Sequence, residues 1–228
     1  MKKILFGILI LSTTIVSAQF TETLSSDRPG QALSTNVVGK NVFQIQPGID
    51  YFKNSKTYLP NSYFRYGISN RVELNYGLAI VTGNSFTQIA GFSIGTRISL
   101  SEKASNVTSA LQISANLPVE NLEFGTQVIY TMGGNFTKNL GWTTNFGANF
   151  DDNFNTTGVY VFNLSYSISE KIGIFVEPFG TFINNSNLAF DTGFYYLANN
   201  NFQLDFSLGD NQGLFFGLGA TFRILPKK

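Results

Sequence analysis

Chemistry in this chain must come from carboxylates and guanidinium groups, because its 228 residues include no histidine and no cysteine. Without imidazole, the commonest general base and transition-metal ligand are missing. Without thiols there is no disulfide framework, thiolate chemistry or lipoprotein anchor. Glu73 and Glu177 are the candidates for a carboxylate pair, provided the fold brings them together. Ion pairs with Arg65, Arg97 and Arg223 are the expected arrangement for both, since an unpaired charge in a confined interior is expensive. The stretch Asp151-Asp152-Asn153-Phe154-Asn155 begins with calcium-loop spacing. However, Thr156 stands where that loop needs glycine and Phe162 where it needs glutamate, so a polar turn is expected. Gly217-Leu218-Gly219 falls inside a strand pattern rather than before a helix, which rules out a phosphate loop. No catalytic residue, metal site or cofactor is therefore expected, and a net charge of +1 gives no reason to expect nucleic acid.

The elements that position the charges are strands. In residues 71–81, Val72, Leu74, Tyr76, Leu78 and Ile80 alternate with Arg71, Glu73, Asn75, Gly77 and Ala79. A period of two sets apolar side chains on one face and small or polar ones on the other. The pattern recurs, giving twelve expected strands at 42–52, 57–66, 71–81, 89–100, 110–117, 124–132, 140–150, 158–168, 172–183, 188–197, 202–209 and 214–225. The expectation is weakest at 172–183, where Phe175 and Phe179 share a face with Glu177. Asp50, Arg65, Glu73, Arg97, Glu177, Asp191, Asp205 and Arg223 all fall opposite the large apolar residues. A bilayer enforces that segregation, because an Arg or Lys facing lipid at mid-depth costs about 2–4 kcal/mol.

Composition agrees. Charged residues make up only 13% of the chain and aromatics 15%, so a water-facing exterior is poorly supplied. No apolar run after the N-terminus is long enough for a membrane helix. The pattern predicts an all-β fold, a transmembrane antiparallel up-and-down barrel of about twelve strands with short loops on both sides. An even strand number puts both termini on the periplasmic side. Residues 1–18 read as a secretory signal: Lys2 and Lys3, an apolar middle, then Val16-Ser17-Ala18. Residues 42–228 form the barrel, and the expected location is the bacterial outer membrane, with lipid as the surrounding partner. Between these parts lies 19–41, with the turn-forming Ser26-Asp27-Arg28-Pro29-Gly30-Gln31. It is expected to be a periplasmic lead-in, or else a short plug at the barrel mouth, where Asp27 and Arg28 would pair with lumen charges or with each other.

Ser26-Asp27-Arg28-Pro29-Gly30, the Arg65-Tyr66-Gly67-Ile68 turn followed by Glu73-Leu74, Glu177 in its strand, and Gln203-Leu204-Asp205 followed by Gly209 together resemble one outer-membrane family. It is the β-barrel transporter family labelled MetA-pathway of phenol degradation. The resemblance spans nearly all of the chain after the signal. It implies an outer-membrane barrel that takes up small molecules, hydrophobic or aromatic ones among them. The reading is a passive channel lined by Asp50, Arg65, Glu73, Arg97, Glu177, Asp205 and Arg223, whose near-balance of sign predicts weak ion selectivity. The alternative is a closed structural or partner-binding barrel with an ion-paired lumen. A soluble barrel binding a hydrophobic ligand inside is disfavoured by the polar inward faces.

Overall fold

The computed structural model describes residues 22–101, 105–117, 123–184 and 186–226. The expected signal at 1–18 lies outside the described residues. The strands are β1 (Phe43–Phe52), β2 (Thr57–Gly67), β3 (Val72–Thr82), β4 (Thr87–Ser99), β5 (Val107–Asn116), β6 (Gly125–Asn135), β7 (Leu140–Asp151), β8 (Thr156–Ser167), β9 (Ile172–Phe182), β10 (Asn187–Asn199), β11 (Phe202–Asp210) and β12 (Leu214–Ile224). Each pairs antiparallel with its sequence neighbour, and β1 pairs with β12 to close the barrel. Closure leaves no strand edge, the only way a sheet can satisfy its backbone in lipid. An eleven-residue strand, rising about 3.4 Å per residue at a tilt of about 40°, spans roughly 28 Å, enough for a hydrocarbon core.

The packing is that of a soluble domain turned inside out. The largest fully buried side chains are Arg65, Arg97, Gln44, Gln46, Glu73 and Glu177, with Val42 the one apolar member among the nine largest. Outward positions carry the apolar residues: Leu74, Ile94, Phe146, Phe194 and Leu218 are all exposed. Aromatic side chains also pack across neighbouring strands on that surface, Phe202–Phe222 stacked at 4.6 Å and Phe146–Phe162 edge-on at 5.3 Å.

The end of the barrel that carries β1's start and β12's finish is closed by tight turns with a repeated device. Ser69, Thr137 and Ser169 each accept hydrogen bonds from the backbone N–H groups two and three residues onward. A hydroxyl at that position is a local substitute for a backbone acceptor, and it fixes the reversal of the chain. The Asp151 turn at the opposite end works similarly, its carboxylate accepting from the N–H groups of Asn153 and Asn155 and from the Asn155 amide. That is the polar turn expected there.

Candidate functional site: a lumen threaded by residues 22–42

Residues 22–42 lie inside the barrel. They enter beside the β10–β11 turn, where Leu24 N–H donates to the Asn200 carbonyl at 2.8 Å. They run inward to a tip at residues 28–33 and return to the same end, where Asn41 N–H donates to the Gly67 carbonyl at 2.8 Å. A segment with little secondary structure is stable here only if the wall satisfies its backbone, and the polar inner face does so.

One set of contacts is ionic. Arg65 Nε lies 2.8 Å from Glu73 Oε1, and Arg97 Nη2 lies 2.9 Å from Asp27 Oδ2. Weaker cross-pairs, Arg65–Asp27 at 3.4 Å and Arg97–Glu73 at 3.7 Å, complete a ring of two guanidinium groups and two carboxylates. Glu73 and Arg97 are cross-strand partners, so β3 and β4 present half of this ring from register alone. The remaining hydrogen-bond capacity is also used: Gln112 accepts from Arg97, Arg65 donates to the Ser25 and Asn36 carbonyls, and Val38 N–H donates to Glu73. Burial alone would raise the Asp27 carboxyl, but Arg65 and Arg97 outweigh it and hold it down at about 2.

Arg28 reaches further in. Its Nε lies 3.2 Å from Asp205 Oδ1, and it donates to Asn61 Oδ1 and to the Leu218 carbonyl. Asn61 in turn donates to Asp50 at 2.8 Å. The guanidinium lies against Gly48 and Gly219, which are cross-strand partners, and a Cβ on either would collide with it. Gln203 Nε2 donates to the Arg28 carbonyl at 2.9 Å. At the tip, the Asn145 amide grips the Leu33 backbone from both sides, accepting from its N–H at 2.8 Å and donating to its carbonyl at 3.1 Å.

Glu177 differs from expectation. No arginine bonds it among the described residues. It accepts from Asn163 Nδ2 at 2.9 Å and from Gln31 N–H, and its cross-strand partner is Asp191. The register explains this: β9 and β10 face one carboxyl with another, while the arginines of β2 and β4 are on the far wall. Glu73 and Glu177 are therefore not a pair. Arg223 sits at the rim, donating to Asn201 Oδ1 and to the Asn200 and Glu22 carbonyls. Gln44, Gln46 and Asn145 hold the segment too, and nothing in an alternating pattern distinguishes an inward amide that binds a neighbour from one that faces water.

Among the described residues, cavities flank the segment, four of which bear on its function. One of about 450 Å³ opens at the end where the segment enters, lined by Thr23–Ser26, Tyr195 and Gln203 among others. A smaller one of about 120 Å³ lies between Pro29, Ala32 and Leu33 and the wall of Thr143, Asn163 and Ser165. Beyond the tip are two of about 280 Å³ each: one polar, beside Tyr63, Asn75 and Gln112, and one against Ile129, Val159, Val161 and Phe179. The charged residues lining these four are Asp27, Arg28 and Glu170. Asp50, Arg65, Glu73, Arg97, Glu177, Asp205 and Arg223 line none of the four; they are engaged with the segment, with each other or with the rim.

Residues 26–224 match the family described as "Putative MetA-pathway of phenol degradation". The chain belongs to that family. The residues that carry the resemblance are brought together here, since Asp27, Arg28, Arg65, Glu73, Glu177, Gln203 and Asp205 all take part in holding the segment. Curated proteins give no match to the sequence. Among solved structures, the KdgM porin in complex with disordered oligogalacturonate is similar with a TM-score of 0.63 at 10% identity, covering 79% of this chain and 98% of that one. The NanC porin gives 0.62 at 9% identity, covering 79% and 100%. An outer-membrane channel from Pseudomonas putida F1 gives 0.59 at 10% identity, covering 86% and 99%. The fold is thus that of outer-membrane channels, and these neighbours are porins and channels rather than enzymes.

Proposed function

We propose that the protein is a passive outer-membrane channel for small, uncharged, partly apolar molecules, with residues 22–42 acting as an internal plug that narrows the lumen. Export through the signal at 1–18 and a periplasmic position for both termini belong to the same reading. The observation that carries it is the cavity of about 280 Å³ beyond the tip, where Ile129, Val159, Val161 and Phe179 form an apolar wall facing Gln127 and Asn145. A barrel lumen is ordinarily polar. An apolar wall with a few fixed amides is the usual lining of a small-molecule site, and such sites begin at about 300 Å³. The cavities at 120 and 450 Å³ continue from it along the β7–β10 wall toward the entry end, past Leu33 and Tyr195.

This reading changes the role of the lumen charges. They hold the plug, and solute selection falls to Leu33, Phe179 and the neighbouring amides. A closed barrel without transport is the second reading, favoured by the completeness of the Asp27–Arg97–Glu73–Arg65 ring. Solute uptake by liposomes containing the refolded protein tests between them. A channel admits arabinose and benzyl alcohol faster than empty liposomes do, and admits a charged solute of the same size more slowly. Folded, inserted protein that admits none of the three supports the closed barrel.

A further inference from the structure

The tip of the plug rests on two carboxyl groups with no cation between them. Glu177 of β9 and Asp191 of β10 are direct cross-strand partners, both inward and both at most 3% exposed. Direct partners bring Cβ atoms to about 5 Å, where like charges repel. Asp191 Oδ1 is buried without a hydrogen-bond partner. Every element around them can be named. Asn163 of β8 donates to Glu177, Phe175 lies on Glu177's own strand, and Gly209 of β11 stands opposite Asp191. The nearby charged groups are Asp205 of β11, Asp50 of β1 and Arg28 of the plug, and Arg28 is engaged with Asp205. The plug supplies Gln31, whose N–H donates to Glu177 and whose Nε2 lies 3.4 Å from Asp191 Oδ2. Gly30, at φ +90°, lies so close that a Cβ would stand 2.6 Å from Glu177 Oε1.

Two adjacent carboxyl groups shut off from water cannot both be ionised cheaply, and such a pair retains a proton between them. The docked tip is what shuts these two off. Docking and proton binding are therefore linked, each favouring the other. We propose that Glu177 and Asp191 share one proton while the tip is docked, and that losing it releases the tip and widens the route. The Glu177–Asp191 pair is then a proton-binding latch distinct from the ionic ring at Asp27. Its effect on transport rests on the channel reading; its effect on docking does not.

The absence of cysteine makes a direct test practical. Ala32→Cys places a single thiol on the tip, and its labelling by a charged maleimide is compared with that of Ala32→Cys/Asp191→Asn at each pH. The ratio removes the thiol's own pH dependence. An amide at Asp191 removes the second charge, so only the unsubstituted pair gains repulsion as pH rises, and the ratio should be near one at pH 5 and rise at least tenfold by pH 9. A flat ratio overturns the latch. Ala32→Cys/Glu177→Gln serves as the second comparison if the first variant does not refold. Arabinose uptake is followed over the same range. Uptake rising together with labelling supports both the latch and the channel. A labelling rise with no uptake at any pH leaves the latch standing and rejects the channel.

Discussion

Two of the places where the plug meets the wall are opposite in chemistry. On β2–β4, two guanidinium groups and two carboxylates close into a balanced ring, every pair within 3.7 Å. On β9–β10, two carboxyl groups face each other and are met by side-chain amides and backbone N–H groups rather than by a cation among the described residues. A buried ionic ring tolerates only one geometry, because losing a member leaves an uncompensated charge in a site without water. An unbalanced acid pair holds its partner conditionally. One region therefore fixes where the plug sits, and the other sets how firmly its tip stays down.

The largest test removes a member of the ring. Asp27→Ala leaves two arginines facing one carboxylate, and breaking a buried pair in this way costs about 3–5 kcal/mol. Labelling at Ala32→Cys should rise by two to three orders of magnitude at pH 7, whereas Asp191→Asn should not raise it there. Equal effects at the two sites would dissolve the distinction between them. Asn145→Ala comes next. It removes two hydrogen bonds to the Leu33 backbone, at about 1 kcal/mol each, and should raise labelling by roughly thirtyfold while leaving the ring intact.

Acid should act on the ring alone. Asp27 drops from an ordinary 3.8 to about 2, and its side chain is only 6% exposed, so its pairing is worth about 2 kcal/mol. Because the docked value is the lower one, this contribution is complete above pH 4 and fades as pH falls through about 2. A spin label at residue 32 should gain mobility over that interval, and should not do so in Asp27→Asn. The smallest effect concerns selection. Val161→Thr replaces a methyl by a hydroxyl on the apolar wall, which at about 0.8 kcal/mol amounts to about a fourfold loss of benzyl alcohol uptake, with arabinose uptake unchanged.

The strands were legible because a bilayer imposes a strict period of two. Every expected strand has its counterpart within a few residues, including β9, where Phe175 and Phe179 do share the inward face with Glu177. Register was not legible, since alternation says which face a residue takes and not which residue it meets. That is why the Glu177–Asp191 pairing could not be read beforehand, although both residues stood on the correct face. The 19–41 stretch was ambiguous for a related reason. Its residues carry no period, and what places residues 22–42 inside is a set of contacts with residues as distant as Asp205 and Thr221. The family resemblance came closest, because Asp27, Arg28, Arg65, Glu73 and Asp205 all belong to those contacts.

On the proposed function, the lumen charges secure a plug rather than line an open pore. This is tested most directly by single-channel conductance in planar bilayers, comparing the intact protein with one lacking residues 22–36, both verified as folded by heat-modifiable migration. Little ion current is expected from the intact protein, and discrete, larger steps once the plug is gone. Identical steps from the two proteins would contradict that role for the charges.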